Sequence, residues 1–311
     1  MALWPEEYEG LREEASQMAT AIVQAYGGAG SVPTDRDERV AAQRQMMTSM
    51  EVTSPAGTDE QVAGVPCRVF RPAGTARGTY VHYHGGAMIL GSPRMNDVAN
   101  AGLCERLRIN VVSVDYRLAP EHPFPAGAED CLAVLQEVLR TEQGPVAVGG
   151  ESAGGYFAAL TLLRLREESG PEAVARVQAA NLVFGVFDLC GTPSGRGIRP
   201  SDISDILGGD LGDFVQECYI PGRTRMEARS GDVSPLWADL SGMPPALFTV
   251  GSADHLLDDS LFMCQRWLAY GNEADLAVYP DCIHGFTGFP MELAKRANEK
   301  IDTFLEGAFT G

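Results

Sequence analysis

A serine flanked by small residues is the first candidate for chemistry in this sequence. The segment Gly150-Glu-Ser-Ala-Gly-Gly155 directly follows a predicted strand, Pro145–Gly149, and opens a helix-like stretch. A strand, a sharp turn and a helix form the context in which a G-x-S-x-G segment carries an exposed nucleophile. Small residues on either side allow strand and helix to approach each other around a strained turn. The sequence therefore predicts Ser152 as a nucleophile, and the alternative is a flexible Gly-Ser turn.

A serine hydroxyl at its ordinary pKa needs a neighbouring base, and the histidines are the candidates. Only two of the five, His255 and His284, follow Ser152, as the chain order serine, acid, histidine requires for this kind of turn. His284 lies on a loop after the last predicted strand, whereas His255 lies where the acid is expected. We predict His284 as the general base, and the alternative is a structural histidine that caps the loop.

The acid of such a triad orients the imidazole and stabilises its positively charged form. Asp254 lies in the loop that follows the predicted strand Ala246–Val250. Asp258 and Asp259 are the alternatives, but they open the next predicted helix, whose dipole favours acidic N-terminal caps. We therefore predict Asp254 as the acid, and Asp258 and Asp259 as solvated caps.

A developing oxyanion needs hydrogen-bond donors, each worth roughly 3 kcal/mol. The segment His84-Gly-Gly-Ala87 follows the predicted strand Thr79–Tyr83 and contains the glycines that a close approach to substrate requires. The candidate donors are the backbone N–H groups of Gly85, Gly86, Ala87 and Ala153. An ordinary Gly-Gly turn is the alternative.

Two further motifs are given structural interpretations. His82 and His84 share one face of a strand, but no third zinc ligand is evident, so we expect His84 to brace the oxyanion loop. The segment Asp115-Tyr-Arg-Leu-Ala-Pro-Glu-His-Pro-Phe-Pro125 is proline-rich. We expect it to be a rigid connector that carries an ion pair between Arg117 and a carboxylate.

Apolar runs alternate with amphipathic stretches over most of the chain, which indicates an α/β protein with a mainly parallel sheet covered on both faces. The predicted strands are Val65–Phe70, Thr79–Tyr83, Asn110–Asp115, Pro145–Gly149, Ala179–Val186, Ala246–Val250 and Leu276–Tyr279. The predicted helices among them are Asp97–Arg108, Ala126–Thr141, Gly154–Glu168, Leu257–Tyr270 and Met291–Leu305.

Two parts of the chain interrupt this alternation and are expected to form a cap over the carboxyl ends of the strands. They are residues 1–50 and the insertion 188–236, which leave 51–187 and 237–311 as the catalytic domain. The cap helices are predicted at Trp4–Tyr26, Pro33–Met50, Ser201–Leu207 and Asp213–Tyr219, with a break at Gly27–Ser31.

Composition excludes several classes of protein. The 311 residues are 45% hydrophobic, which is typical of a globular chain, and the formal net charge of −18 disfavours binding to nucleic acid. No apolar run approaches the roughly 18 residues of a membrane span. Seven cysteines without a C-x-x-C pair, and an acidic N-terminus without a signal pattern, favour reduced thiols in the cytoplasm.

Taken together, these segments resemble the hormone-sensitive-lipase-like microbial esterases (family IV) of the α/β-hydrolase superfamily, from about Val81 to Phe286. The resemblance is carried by His84-Gly-Gly-Ala87, Asp115–Pro125, Gly150–Gly155, Asp254-His-Leu-Leu-Asp258 and His284-Gly-Phe286. It implies a carboxylic ester hydrolase with Ser152 as nucleophile, His284 as base and Asp254 as acid. It also implies an eight-stranded sheet and a helical cap.

The chain departs from the family pattern at four positions without losing a catalytic group. Ala87 stands where a third glycine is usual, Glu151 where Asp is frequent, Tyr156 where Asn is common, and His255 where Pro is common. The methyl group of Ala87 is expected to narrow the acyl side of the site.

The expected function is therefore hydrolysis of neutral small-molecule esters of short to medium acyl chain, through an acyl-enzyme and without a metal or organic cofactor. The same groups would serve lactone, carbamate or amide cleavage. A second hypothesis is a catalytically silent receptor for a small ligand, similar to plant hormone receptors of this fold, which lack the catalytic histidine. The resemblance is also compatible with a homodimer.

Overall fold

The computed structural model describes residues 3–26, 33–196 and 211–310, and a single eight-stranded sheet organises them. The strands are β1 (Thr58–Val62), β2 (Val65–Phe70), β3 (Thr79–Tyr83), β4 (Asn110–Val114), β5 (Val146–Glu151), β6 (Val177–Val183), β7 (Ala246–Gly251) and β8 (Ala274–Tyr279). Their order is β1-β2-β4-β3-β5-β6-β7-β8. The pairs β1–β2 and β2–β4 are antiparallel, and all other pairs are parallel. The predicted α/β class with a mainly parallel sheet is confirmed.

Strand β1 is absent from the sequence prediction because it carries no apolar pattern. Its residues Thr58–Val62 are polar or half-exposed, as an edge strand allows. It joins β2 through a tight turn in which Ala63 and Gly64 both have positive φ, of 52° and 80°, as a type I′ hairpin requires.

The helices surround this sheet. They are α1 (Arg12–Tyr26), α2 (Arg36–Ser49), α3 (Asp97–Leu107), α4 (Ala126–Thr141), α5 (Ala153–Ser169), α6 (Pro171–Val174), α7 (Pro193–Arg196), α8 (Leu211–Tyr219), α9 (Arg225–Ala228), α10 (Leu257–Ala269) and α11 (Glu292–Ala308). A 3₁₀ helix, Glu6–Leu11, precedes α1. The helix predicted at Ser201–Leu207 and the break at Gly27–Ser31 lie outside the described residues.

Two apolar cores lie on opposite faces of the sheet. Helices α4, α5 and α10 pack on one face, where Phe157 and Leu135 are fully buried. Helices α3 and α11 pack on the other, where Tyr80 and Leu305 are buried. Because both faces are covered, the parallel strands β3 and β7 are buried along their whole length, which explains their mostly apolar sequences. None of the helices in the described ranges is both long enough and apolar enough to cross a bilayer.

The two N-terminal helices contact different parts of the molecule. The guanidinium of Arg39 in α2 lies 3.8 Å from the ring centroid of Phe214 in α8. In the 3₁₀ helix that precedes α1, by contrast, the ring of Tyr8 stacks on the ring of Tyr279, with 5.5 Å between the ring centroids. The first residue of α1, Arg12, donates from Nε to Asp281 Oδ2 at 2.8 Å. Helix α2 therefore packs against the inserted segment, while α1 packs beside the loop that follows β8.

Candidate active site

Ser152 occupies a strained turn between β5 and α5. Its φ is 56° and its ψ is −116°, a combination that non-glycine residues rarely adopt. The Ser152 N–H donates to Val183 O at 2.9 Å, which anchors the turn to the neighbouring strand. A side chain at Gly150 or Gly154 would collide with the carbonyl oxygen of Tyr83. The small residues of the motif are therefore required by close packing between β5, α5 and the end of β3.

The structure brings Ser152, His284 and Asp254 together. His284 Nε2 lies 2.9 Å from Ser152 Oγ, and His284 Nδ1 lies 2.9 Å from Asp254 Oδ2. Asp254 is fully buried, and its Oδ1 also accepts from the backbone N–H of Leu256 at 2.8 Å. Because a carboxylate can only accept from Nδ1–H, the lone pair of a neutral His284 is on Nε2, facing the serine hydroxyl. The arrangement can remove the hydroxyl proton of Ser152.

The loop after β3 presents backbone donors next to this serine. Gly86 has a φ of 119°, and Ala87 and Met88 follow at 54° and 62°. The N–H groups of Ile89 and Leu90 both donate back to Gly86 O, at 3.0 and 2.8 Å. A side chain at Gly86 would collide with Leu90 O, so this turn requires glycine.

Within the described ranges, four backbone N–H groups at this loop and at the start of α5 donate to no protein acceptor. They belong to Gly85, Gly86, Ala87 and Ala153. The Gly85 Cα faces Ser152 so closely that a Cβ there would lie 3.7 Å from Ser152 Cβ. Ala153 is the first residue of α5, where a helix concentrates positive partial charge. These N–H groups are available to an anion formed beside Ser152.

Comparison with known proteins shows the family of this chain. A family model described as the alpha/beta hydrolase fold matches residues 80–288. The chain is 31% identical over 264 residues to the carboxylesterase NlhH of Mycobacterium tuberculosis, covering 80% of this chain and 81% of that protein.

Solved structures of esterases are also similar to this chain over nearly its whole length. A hormone-sensitive lipase from a metagenome library superposes with a TM-score of 0.83 and 25% identity, covering 95% of this chain and 98% of the other. EstE5, whose crystal was soaked with p-nitrophenyl butyrate, superposes with a TM-score of 0.81 and 26% identity, covering 96% and 99%. This chain belongs to the hormone-sensitive-lipase-like esterases of the α/β-hydrolase family. The resemblance and the fold predicted from the sequence are confirmed.

His84 of this esterase contacts the loop after β3, which the sequence analysis expected it to brace. Its ring stacks on Tyr116 at 4.1 Å between centroids, and its Nδ1 donates to Gly85 O at 2.7 Å. The Tyr116 hydroxyl donates to His84 O at 2.7 Å. Complete burial lowers the pKa of His84 to about 3, so the ring stays neutral. The loop is thus held by a histidine that carries no charge.

His82 has different partners from His84. The Asn100 amide donates to His82 Nδ1 at 3.2 Å, so the ring proton is on Nε2, which lies 3.0 Å from Glu151 Oε2. Ser113 Oγ also lies 2.8 Å from His82 Nδ1. His82 therefore holds Glu151, the residue before Ser152. The expected ion pair of Arg117 is confirmed as well, since its Nε donates to Asp130 Oδ2 at 2.9 Å.

The sequence interpretation of Asp258 and Asp259 as solvated caps is wrong. Asp259 is fully buried and accepts three hydrogen bonds, from two backbone N–H groups at 187–188 and from the Thr192 hydroxyl, at 2.6 to 2.9 Å. Asp258 Oδ2 accepts from the Ser194 N–H at 2.8 Å. Both carboxylates thus connect α10 to the start of the insertion 188–236. Hydrogen-bond donors of that segment take the place of the solvent that the sequence interpretation expected.

Burial of Asp259 predicts a measurable pH dependence of stability. Desolvation raises the pKa of Asp259 from 3.8 to about 6, although its three donors oppose the shift. The folded state thus holds this proton more tightly than the unfolded state, and its contribution to stability is lost as pH rises from 3.8 to about 6. Over that range, the free energy of unfolding of the wild type should fall by up to about 3 kcal/mol relative to Asp259→Asn. Urea unfolding at stepped pH measures this difference, and a constant difference would contradict the assignment.

Two side chains beside His284 were not identified from the sequence as parts of the site. The ring of Phe184 meets the His284 ring edge-on at 4.8 Å, just beyond the end of β6. The ring of His255 lies 4.8 Å from the His284 ring on another side. An apolar residue after a strand is too common to be informative. The adjacency of His255 to Asp254 in the chain was the available signal.

Proposed function

We propose that this esterase cleaves carboxylic esters with Ser152 as nucleophile, His284 as general base and Asp254 as the acid that orients it. The observation that carries the proposal is the His284 ring, which lies 2.9 Å from both the Ser152 hydroxyl and the Asp254 carboxylate. As Ser152 Oγ attacks the ester carbonyl, its proton passes to His284 Nε2. The buried Asp254 carboxylate stabilises the imidazolium that results.

The carbonyl oxygen becomes an anion during this attack, and the unpaired N–H groups around Ser152 are its proposed donors. They belong to Gly85, Gly86, Ala87 and Ala153. Donors that are already in place need no reorganisation during the reaction, and each contributes roughly 3 kcal/mol to transition-state stabilisation. The brace formed by His84 keeps the first of these groups at the serine.

The tetrahedral intermediate then collapses. The bond from the carbonyl carbon to the alcohol oxygen breaks, and the leaving alkoxide takes the proton from His284. The acyl group remains on Ser152 Oγ. Water attacks this acyl-enzyme, gives one proton to His284, and releases the carboxylic acid as Ser152 regains its proton.

We propose neutral esters of short to medium acyl chain as the substrates. The net charge of −18 disfavours anionic substrates by repulsion. Ala87 adds a methyl group to the oxyanion loop, which reduces the room for the acyl chain. The related EstE5, soaked in the crystal with p-nitrophenyl butyrate, indicates that a short acyl ester is the appropriate first substrate.

We also propose that residues 1–50 and 188–236 form a cap on a catalytic domain of 51–187 and 237–311. The contact between Arg39 in α2 and Phe214 in α8 supports the association of its two parts. Arg44 in α2 donates to Ile89 O at 2.9 Å, which places α2 against the segment that follows the oxyanion loop. Such a cap would restrict the size of the alcohol and acyl groups.

A panel of p-nitrophenyl acetate, butyrate, octanoate and palmitate tests the reaction and the chain length together. We expect high rates with the short and medium esters and little activity with palmitate. A matched lactone, carbamate and anilide should react more slowly. A fluorophosphonate probe should label one peptide, which contains Ser152. Absence of both hydrolysis and labelling would contradict the proposal and favour a ligand-binding protein.

A further inference from the structure

A second imidazole lies against the acid of the catalytic triad. His255 Nδ1 is 3.5 Å from Asp254 Oδ1, and the His255 ring is tilted by 54° to the His284 ring. Asp254, His255 and His284 each offer one ligand atom, and these atoms lie within 4.8 Å of one another. Over the described ranges, this is the group of histidine, cysteine and acidic side chains that is compact enough to hold a metal ion.

We propose that Asp254, His255 and His284 form an inhibitory binding site for Zn²⁺ or a similar divalent transition-metal ion. Two imidazole nitrogens and one carboxylate oxygen are a donor set that zinc prefers, with water as the fourth ligand. The ion would be a reversible ligand that stops the reaction, and it is not a cofactor of hydrolysis.

The spacing of the ligand atoms is close to that of a tetrahedral site for two of the three pairs. Ligands about 2.1 Å from zinc are about 3.4 Å from one another in a tetrahedron. Asp254 Oδ1 lies 3.1 Å from His284 Nδ1 and 3.5 Å from His255 Nδ1. The nitrogens of His255 and His284 lie within 4.8 Å of each other, so the two rings would have to move closer together to share an ion. Side-chain exposures of 15% for His255 and 12% for His284 leave both rings within reach of solvent.

Metal binding at this place would inhibit through the tautomer of His284. A neutral imidazole carries one proton, and in the active arrangement that proton is on Nδ1. If zinc takes the Nδ1 lone pair, the proton must be on Nε2, where it faces Ser152 Oγ. The ring can then no longer accept the hydroxyl proton, and the serine is not activated.

His255 is the residue that distinguishes this site from an ordinary triad. Asp254 and His284 alone supply two ligands, which is too few for a stable zinc site. The third ligand comes from a position where proline is common in proteins of this type. The carbonyl of His255 accepts from the Ser194 hydroxyl at 2.8 Å, so its backbone is held in place whatever the side chain is. Replacement of the side chain therefore removes a ligand without removing this anchor.

Zinc titration of the activity tests the inhibition. The protein is first treated with a chelator and then assayed on p-nitrophenyl butyrate with increasing ZnCl₂, and each variant is normalised to its own metal-free rate. We expect inhibition of the wild type that EDTA reverses. His255→Ala and the bulkier His255→Gln should need at least about 10–100-fold more zinc, because even the loss of an outer-shell partner costs that much affinity. The exposed His122 supplies the matched control His122→Ala, which should behave as wild type.

A binding measurement separates this inference, which uses the proposed triad, from the proposed catalytic function. Co²⁺ is titrated into Ser152→Ala protein, with the visible absorption of tetrahedral cobalt as the signal. The band should appear, and it should be absent from the double variant with His255→Ala. A cobalt band in a protein that hydrolyses no ester would support the metal site while contradicting the esterase mechanism. Equal zinc inhibition of wild type and both His255 variants, or no band in Ser152→Ala, would overturn the metal site.

Discussion

Replacement of Ser152 by alanine should lower kcat/KM on p-nitrophenyl butyrate by roughly a million-fold. His284 Nε2 lies 2.9 Å from the hydroxyl of Ser152, which is the proposed nucleophile. Alanine removes this hydroxyl, so no acyl-enzyme can form at this position. The oxyanion donors remain in the variant, so a small residual rate above the uncatalysed reaction is expected. Steady-state kinetics, with burst-phase measurements on the wild type, provide the test.

A second serine associated with the same helix provides the matched control. Ser169 ends α5, the helix that Ser152 precedes, and its side chain is exposed at the surface. Ser169→Ala should keep the wild-type rate, and both variants should show the wild-type circular dichroism spectrum. Hydrolysis by Ser152→Ala within tenfold of the wild type would show that another residue is the nucleophile.

Replacement of Asp254 by asparagine should lower kcat by roughly 10⁴-fold, with little change in KM. The carboxylate accepts from His284 Nδ1 at 2.9 Å, whereas an amide in the same place can donate to that nitrogen. A donating amide favours the tautomer with its proton on Nε2, which cannot accept the proton of Ser152. The variant also loses the negative charge that stabilises the imidazolium. The pH dependence of kcat measured for wild type and variant separates this effect from a loss of folded protein.

Asp258→Asn is the control that distinguishes Asp254 from one of the two alternative acids. Asp258 lies near Asp254 in the chain, but its Oδ2 accepts from the backbone of Ser194 at 2.8 Å, and the interaction with His284 belongs to Asp254. This variant should keep at least about a tenth of the wild-type kcat. A larger loss in Asp258→Asn than in Asp254→Asn would reassign the acid of the triad.

Strands and helices were predicted best where burial leaves a recognisable pattern of apolar residues in the sequence. Strands β3 and β7 are buried throughout and mostly apolar because helices cover both faces, so their prediction succeeded. Strand β1 is polar and half-exposed, and its place at the edge is set by backbone pairing with β2. Backbone pairing leaves no trace in side-chain hydropathy, which is why β1 was missed.

The site was predictable to the extent that reaction chemistry fixes residue type and chain order. The required chain order of serine, acid and histidine left few candidates for each role. The structure brings the three predicted residues, Ser152, Asp254 and His284, within hydrogen-bond distance. The partners of other polar residues were not predictable in this way. Asp259 was expected in solvent, yet it is buried beneath residues 187–192.

The sequence by itself thus determined the kinds of groups present and their order along the chain, because these follow from the chemistry of acyl transfer and from apolar periodicity. Tertiary structure alone decided which polar atoms meet and how water is excluded from them. It placed His255 beside the triad carboxylate and buried His84, which lowers the pKa of that ring to about 3. Hydrogen bonds form over about 3 Å in space and desolvation depends on everything packed nearby, so neither is encoded in local spacing.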